Sequence, residues 1–227
     1  MTGDSHVSVI RLKKKGINSY NMNYELIEKG IGIVILGHFN PQLYSLDDLC
    51  GLSIIKREEM EYTKQDVINA TYAVLNVGNI RIMCDRLRFQ ILTTDIVLVR
   101  RMLAFCQDML NAIEINNLRG VGLNTHFKIT INNEVDNQVF RERLMPPMTS
   151  WNNLCIGGDI ENVAIKHDNR LITLSSDGLL DGNHCYSFDV NKHHKTDRLI
   201  DIISVLDGAN EYFSTEMTSL EAFIREL

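Results

Sequence analysis

The chain of 227 residues is 44% hydrophobic and 23% charged, which provides enough apolar side chains for a full core and argues against a disordered protein. Its net charge of −6 disfavours a protein that coats nucleic acid, because phosphate contacts require basic surfaces. The five cysteines are odd in number and lack CxxC spacing, which favours free thiols in a reducing cytoplasm over a disulfide framework.

The N-terminal segment MTGDSHVSVIRLKKKG has no apolar run after its basic residues, so we expect no signal peptide and a cytoplasmic protein. Residues 7–12 are predicted as a short strand. Lys13, Lys14 and Lys15 follow and indicate a solvated strand end, or alternatively an edge that meets an anionic partner.

Residues 30–39, GIGIVILGHF, are predicted as a strand buried on both faces. This apolar run is far too short to span a bilayer, so no membrane association is expected.

The next two predicted elements are a short helix and a hairpin. Ser45 is suited to cap a helix that Gly51 ends. Residues 70–77, ATYAVLNV, are compatible with a helix on propensity alone. The Gly78-Asn79 pair between two apolar runs is, however, a hairpin signal, so we predict a strand here.

Residues 79–133 carry the strongest periodic signals in the chain and are predicted as strand, long helix, strand. The alternation of the first strand slips after Asp85 and Arg86, which a β-bulge or a tight bend would absorb. Thr93 or Thr94 is expected to cap the helix. The broad apolar stripe of this helix comprises Leu98, Met102, Phe105, Met109, Ala112 and Ile113. The last strand of the unit alternates between apolar and polar residues throughout.

A segment without apolar periodicity follows this central unit. Residues 141–151, which contain Pro146 and Pro147, are predicted to connect an N-terminal portion, 1–140, to a C-terminal portion, 152–227. This division predicts two subdomains that meet near the connection.

The C-terminal portion is predicted as a meander of strands followed by helices. The strands cover residues 160–167, 171–175 and 185–190. The loop DGLLDGN, residues 177–183, is predicted as the turn between the last two. Thr196 or Asp197 is expected to begin the first helix. Thr218 and Glu221 form a capping box for a separate last helix that runs to the end of the printed chain.

These elements together predict an α+β protein. Its sheet is expected to be mainly antiparallel, and we expect the long central helix and the C-terminal helices to cover it. The strand-helix-strand unit at residues 79–133 is predicted to be the centre of this arrangement.

No motif in the sequence predicts a metal or a cofactor. The loop DGLLDGN lacks the ligand spacing of an EF-hand and is typical of a plain turn. His184-Cys185 and His193-His194 are adjacent pairs, and adjacent residues of a strand point to opposite faces, so neither pair is expected to serve one zinc ion. The glycine pairs of the chain are not followed by a helix at the spacing of a phosphate-binding loop.

One polar set is a candidate site for an anion or a carboxylate. It comprises Asp85, Arg86 and Arg88 at the phase slip, with Asn124 and His126 on the polar side of the last strand of the central unit. If those strands are neighbours, the arginine, asparagine and histidine side chains would converge. The alternative is that these residues form an ordinary solvent-exposed face of the sheet.

Four short segments resemble an uncharacterised family of sporadically distributed bacterial proteins. They are the apolar strand ending in FNP (31–41), DRLRFQILTTD (85–95), VGLN (121–124) and VLDGANEYFSTEMT (205–218). The resemblance implies a soluble, cytoplasmic α+β protein. The patchy distribution of such families would suit a role in mobile elements, phage conflict or toxin–antitoxin systems. The resemblance provides no catalytic residue.

The sequence favours a non-enzymatic interaction or regulatory subunit that binds a protein partner or forms a homo-oligomer. The reason is that the chain has enough apolar residues for a full core but contains no catalytic motif. A second hypothesis is a small hydrolase or nucleotide-processing enzyme with its site near Arg86 and His126. A third is a nucleic-acid-binding module that uses the three N-terminal lysines with Arg100 and Arg101.

Overall fold

The computed structural model describes residues 22–144, 162–167 and 170–226, and the strands in these ranges form one nine-stranded sheet. The strands are β1 (Tyr24–His38), β2 (Thr63–Ile68), β3 (Tyr72–Val77), β4 (Ile80–Asp85), β5 (Arg88–Thr93), β6 (Asn116–Ile131), β7 (Asn162–His167), β8 (Arg170–Leu180) and β9 (Asn183–Lys195). The α-helices are α1 (Leu46–Gly51), α2 (Val99–Ala112), α3 (Glu134–Leu144) and α4 (Leu199–Glu226). None of these helices is long and apolar enough to cross a membrane.

The sheet is antiparallel at every pairing and has the strand order β2-β3-β4-β5-β1-β6-β9-β8-β7. The predicted α+β fold with a mainly antiparallel sheet is confirmed. Strands β2 to β5 are neighbours along the chain, and so are β7 to β9. Strand β1 is different, because it lies between β5 and β6 at the centre of the sheet.

The predicted N-terminal and C-terminal portions both contribute strands to this sheet. Strand β6 pairs with β9 from Gly120 opposite Lys195 to Ile131 opposite His184. The start of the predicted connection is helical, because α3 continues to Leu144. Residues 145–161, which include the rest of that connection, lie outside the described residues, and so do the predicted strand at 7–12 and its three lysines.

The helices pack on one face of the sheet and form a two-layer structure with a single hydrophobic core. Ile31, Ile33 and Ile35 of β1 are buried against this layer. Fully buried aromatic side chains fill the space between the layers: Tyr44, Phe89, Phe105, Phe127, Phe140, Phe188 and Phe213. Because side chains alternate along a strand, Val34 and Leu36 point to the other face, where they are half-buried.

The central unit differs from its prediction at the phase slip. Residues 80–93 form two strands, β4 and β5, joined by a tight turn at Arg86 and Leu87, and not one bulged strand. The tight bend is therefore the correct alternative. Neither threonine caps the following helical segment, because the Asp95 carboxylate accepts a hydrogen bond from the Val97 N–H (3.0 Å) at the start of a short 3-10 turn before α2.

The two predicted C-terminal helices are one continuous helix, α4. Its buried stripe runs without a break through Ile202, Leu206, Ala209, Phe213, Met217, Leu220 and Ile224. Packing along the whole stripe outweighs the low helix propensity of Gly208. The predicted capping box is wrong, because Thr218 lies inside the helix and its hydroxyl donates to the Ser214 carbonyl (3.0 Å).

The predicted turn at 177–183 is also shorter than expected. Strand β8 continues through Asp177 to Leu180, and only Asp181 and Gly182 form the turn before β9. Both turn residues have positive φ angles, 50° and 84°, as a two-residue hairpin requires.

Replacing Gly208 with alanine is expected to raise the free energy of unfolding by about 0.5–1 kcal/mol, because alanine is the better helix former. Gly208 is exposed, and no neighbouring atom lies within 4 Å of the added Cβ. The matched control is Gly120→Ala in β6, whose Cβ would lie 2.5 Å from the His194 carbonyl oxygen. Urea denaturation should show opposite signs for the two variants, and equal effects would contradict this account.

Candidate functional site

Three of the five residues of the predicted site lie at the β4–β5 turn and make contacts within that turn region. The Asp85 carboxylate accepts a hydrogen bond from the Leu87 N–H (2.8 Å) and faces the Arg88 guanidinium at 3.3 Å. Arg86 donates from Nε to the Ala70 carbonyl (3.2 Å). These contacts hold the turn in place.

The other two residues, Asn124 and His126, lie on β6, which β1 separates from β5. Arg88 pairs with Leu36 of β1, and His126 pairs with Gly30. These β1 positions are six residues apart, which corresponds to roughly 20 Å along a strand. The structure therefore does not bring the arginines and the histidine together.

His126 instead forms a pair with Asp189 of β9, a residue that the sequence did not single out. The two residues are directly opposite each other, and His126 Nδ1 donates to Asp189 Oδ1 at 2.8 Å. On the other side, His126 lies beside Gly30 of β1, where an added Cβ would make an ordinary van der Waals contact with the His126 Cβ at 3.5 Å. Alternation alone predicts both residues on a polar face, but no local signal pairs two strands that are so distant along the chain.

The acidic surroundings of His126 raise its pKa above the ordinary value of 6.5. The hydrogen bond to Asp189 is the largest cause, partial burial opposes it, and the charges of Asp189, Glu28 and Asp177 add to it. The carboxylate makes His126 more basic than an unpaired histidine, and its imidazole donates hydrogen bonds from both nitrogens when it is protonated.

A second polar group lies beside the first, on the same three strands. Lys128 of β6 contacts Asp177 of β8 at 3.0 Å, and the Ser187 hydroxyl of β9 donates to the same carboxylate oxygen at 2.6 Å. The hydrogen bond to Asp177 raises the pKa of Lys128 despite some burial. Burial acts to raise the pKa of Asp177, but the hydrogen bonds from Ser187 and Lys128 outweigh it and lower that pKa. A lysine held in its charged form does not activate a serine.

We use the name outer face for the side of the sheet that points away from the helices, defined by the alternate positions Val34, Gln90, Asn124, His126 and Asp189. Between β6 and β9 it also carries a hydrogen bond from the Asn191 amide to Asn124. The glycines Gly30, Gly32 and Gly122 lie between these larger side chains and keep the centre of the face shallow.

The half of the outer face formed by β1 to β5 is more apolar. One row of directly opposed residues crosses five strands: Val67, Val74, Met83, Gln90 and Val34. Leu36 and Leu92 flank this row and are half-buried. Four of these five residues are apolar, and of the four Val67 is exposed, Val34 and Met83 are half-buried and Val74 is buried. A row of neighbouring, partly exposed apolar side chains on a sheet face suits a contact surface.

An open depression of about 390 Å³ lies at one end of β1, beside the β-bulge at Ile27. Its lining residues are Leu26, Ile27, Glu28, Lys29, Thr94, Asp95, Ile96 and Val97. Two of its charged side chains already have partners within the protein: Lys29 forms an ion pair with Glu221 of α4, and Asp95 caps the following 3-10 turn. Three of its apolar side chains are exposed: Ile27, Ile96 and Val97.

The basic residues of the nucleic-acid hypothesis are only partly described. Arg101 is bound to Glu59, at 2.6 and 2.7 Å, and to the Ile54 carbonyl at 2.8 Å. Arg100 is exposed on α2.

Within residues 22–144, 162–167 and 170–226, no group of three or more histidine, cysteine, aspartate or glutamate side chains is arranged to hold a metal ion.

No known family model matches the chain. A search of curated proteins also returns no match to it.

Replacing Asp189 with asparagine is expected to lower the pKa of His126, because the largest cause of its elevation is the hydrogen bond to that carboxylate. NMR titration of the His126 ring protons measures this directly. Asp207→Asn is a matched control, since Asp207 accepts from Gln107 in the helix layer. An unchanged His126 titration in Asp189→Asn would contradict the assigned pair.

The same pair makes stability depend on pH in a defined direction. The folded-state pKa of His126 lies above its ordinary value of 6.5, so the pair stabilises the fold while the imidazole is protonated. This contribution is complete below the unfolded-state pKa and is lost as the pH rises through the folded-state pKa. The stability difference between the native protein and Asp189→Asn should shrink over that rise.

Proposed function

We propose that this protein is a non-enzymatic interaction subunit that binds a protein partner through the outer face of its sheet. One observation carries the proposal: the helices pack together on one face of the sheet, and no described helix covers the other face, which has an apolar row in one half and polar pairs in the other. Protein–protein interfaces likewise combine apolar and polar side chains.

The chemistry of the polar half supports binding more than catalysis. Lys128 is held in its charged form by Asp177, and His126 donates a hydrogen bond to Asp189. A charged lysine cannot serve as the base that activates the neighbouring Ser187. The arginines of the enzyme hypothesis lie at the far end of β5, roughly 20 Å along the strand direction from His126.

The proposal includes a cytoplasmic setting. The described cysteines, Cys50, Cys84, Cys106 and Cys185, are free thiols, which suits a reducing compartment. The resemblance to sporadically distributed bacterial proteins supports a role in mobile elements or phage defence, and that role is part of the proposal.

Affinity purification of the tagged full chain from its native host, followed by mass spectrometry and light scattering, tests the proposal. We expect a defined complex, either with another protein in stoichiometric amount or between copies of the chain. Met83→Glu places a charge in the middle of the apolar row and should abolish the complex. Val97→Glu is the matched control, because Val97 is 87% exposed and lies outside the row. A monomer without any bound protein would overturn the proposal.

A further inference from the structure

We propose that the free edge of β1, beside the depression at Ile27, binds an extended basic segment of another protein, which adds a strand to the sheet. This edge is separate from the outer face, so the inference does not depend on the proposed function. Three features support it: a stretch of backbone without a neighbouring strand, exposed apolar side chains next to that stretch, and carboxylates without an ion-pair partner.

One side of β1 lacks a neighbouring strand over its first part. Strand β1 pairs with β6 from Tyr24 onwards, but its pairing with β5 begins only at Ile31, which is opposite Thr93. After Thr93 the chain leaves the sheet through the 3-10 turn Ile96–Leu98 and enters α2. On the β5 side, no described strand therefore pairs with residues 24–30, which extend over roughly 20 Å.

Such an open edge presents backbone groups that a further strand can bind. About half of the N–H and C=O groups of residues 24–30 point to this side, because these groups alternate between the two sides of a strand. A strand that is added here extends the hydrogen bonding of the sheet, which is how edge-binding domains hold extended peptides. The edge therefore selects a ligand of about six residues in the extended conformation.

The depression beside this edge provides contacts for apolar side chains of the added strand. It has a volume of about 390 Å³ and lies between β1 and the segment that follows β5. Ile27, Ile96 and Val97 line it and are exposed, Val97 by 87%. The β-bulge inserts Ile27 as an extra residue at this edge. An added strand would remove these three side chains from water, which favours its binding.

The charges at this edge are mainly negative. Glu25 and Glu28 are exposed and form no ion pair with a described residue. Asp95 adds a carboxylate in the depression, where it caps the 3-10 turn. Lys29, which also lines the depression, is paired with Glu221 of α4. Lysine or arginine side chains on the added strand would therefore complement the edge.

Other cations near Glu28 have partners of their own. Lys128, directly opposite Glu28 on β6, and His126 each bind another carboxylate. Arg100 is exposed on α2 and does not line the depression. The same charges disfavour a second copy of the chain as the occupant, because its β1 edge would place carboxylates against carboxylates.

Binding of synthetic peptides to the full chain, measured by isothermal titration calorimetry, tests the inference. The probe is a peptide of about seven residues that alternates isoleucine and lysine. One control peptide has the same side chains but is N-methylated at every residue, and a second has glutamate in place of lysine. We expect both controls to bind at least about tenfold more weakly, because the first lacks backbone donors and the second is repelled by the carboxylates.

Variants of the full chain locate the binding site. Glu28→Lys should weaken binding of the lysine peptide by about tenfold and strengthen binding of the glutamate peptide, because it reverses the charge at the edge. Glu211→Lys is the matched control, since it makes the same change at an exposed position of α4. Amide hydrogen exchange followed by NMR should show that the lysine peptide protects edge-facing amides within residues 24–30. Far-ultraviolet circular dichroism confirms that each variant is folded.

The remaining outcomes identify a different occupant or a different site. Equal binding of the N-methylated peptide would overturn strand addition, and unchanged binding to Glu28→Lys would overturn the location. Edge-facing amides that are already protected in the free monomer would show that the chain's own residues occupy the edge. Protection that appears only with a doubling of the chain mass of 25.9 kDa would show a second copy, and either result would overturn the proposal.

The variant Met83→Glu separates this edge from the outer face. It should leave binding of the lysine peptide unchanged, because Met83 lies on β4, two strands from β1. Loss of peptide binding in this variant would overturn the assignment to the β1 edge. A host protein that Met83→Glu releases, found together with a lysine peptide that does not bind, would retain the proposed function and overturn only this inference.

Discussion

Replacing Arg101 with methionine is expected to lower the free energy of unfolding by about 3–5 kcal/mol, since it leaves the Glu59 carboxylate buried without its partner. The guanidinium binds both oxygens of Glu59, and it also donates to the Ile54 carbonyl and lies 5.6 Å from the centre of the Phe105 ring. The Glu59 side chain is only 9% exposed. Urea denaturation of the native protein and the variant measures the loss.

The double variant Glu59→Met with Arg101→Met separates an unpaired charge from lost packing. Two apolar side chains of similar length are expected to recover most of the stability, because no buried charge remains. If the double variant were as unstable as Arg101→Met alone, the loss would come from packing and the Ile54 contact.

The Glu59–Arg101 pair also makes the stability of the fold depend on pH in the acidic range. Burial tends to raise the pKa of Glu59, but the hydrogen bonds from Arg101 and from the Lys56 N–H outweigh it, and the pKa is lowered overall. A depressed folded-state pKa means that the stabilisation is present above the unfolded-state pKa and is lost as the pH falls through the folded-state pKa. Below that pH, the advantage of the native protein over the double variant should disappear.

Replacing Phe89 with alanine is expected to cost about 3–5 kcal/mol, because it creates a cavity in the middle of the core. Phe89 is fully buried on β5, with its ring centre 5.6 Å from that of Tyr44 and 6.3 Å from that of Phe39. It therefore joins the sheet to the segment around α1. Equilibrium unfolding in guanidinium chloride measures the loss.

Phe89→Leu is the matched control and should cost about 1 kcal/mol, since it keeps most of the apolar volume. The denaturant slope should stay unchanged in both variants if the folded state keeps its compactness. Equal losses for alanine and leucine would show that the aromatic contacts, and not the filled volume, determine the contribution of this residue.

The sequence predicted those elements whose signals are local. Strand β6 and helix α2 have clear periods of 2 and 3.6 residues, and Gly78 with Asn79 marked the β3–β4 turn. The boundary at Asp85 to Arg88 was harder, because a bulge and a two-residue turn both shift the alternation by one position. Only the pairing of β4 with β5 distinguishes them.

The candidate site could not be predicted because its contacts link distant parts of the chain. His126 meets Asp189 only because β6 pairs with β9, and it is separated from Arg88 only because β1 lies between β5 and β6. The Glu59–Arg101 pair likewise joins the 3-10 segment Arg57–Tyr62 to helix α2, and four strands lie between these two elements along the chain. Composition and periodicity do not specify strand order. Helix α4 differed from the two predicted helices for a related reason, because its packing on the sheet decided whether the helix continued through Gly208.

The central position of β1 has a consequence for how the chain folds. Strands β2 to β5 can pair with their sequence neighbours as soon as they are synthesised, but β1 has no partner until β5 emerges and has its second only with β6. Pairings of such long sequence separation slow folding, because the loop between them must close first. A nascent chain therefore leaves both edges of β1 unpaired until β5 ends at Thr93, and one edge unpaired until β6 ends at Ile131. We expect this strand to be the segment that chaperones bind and the one most prone to aggregate when synthesis stalls.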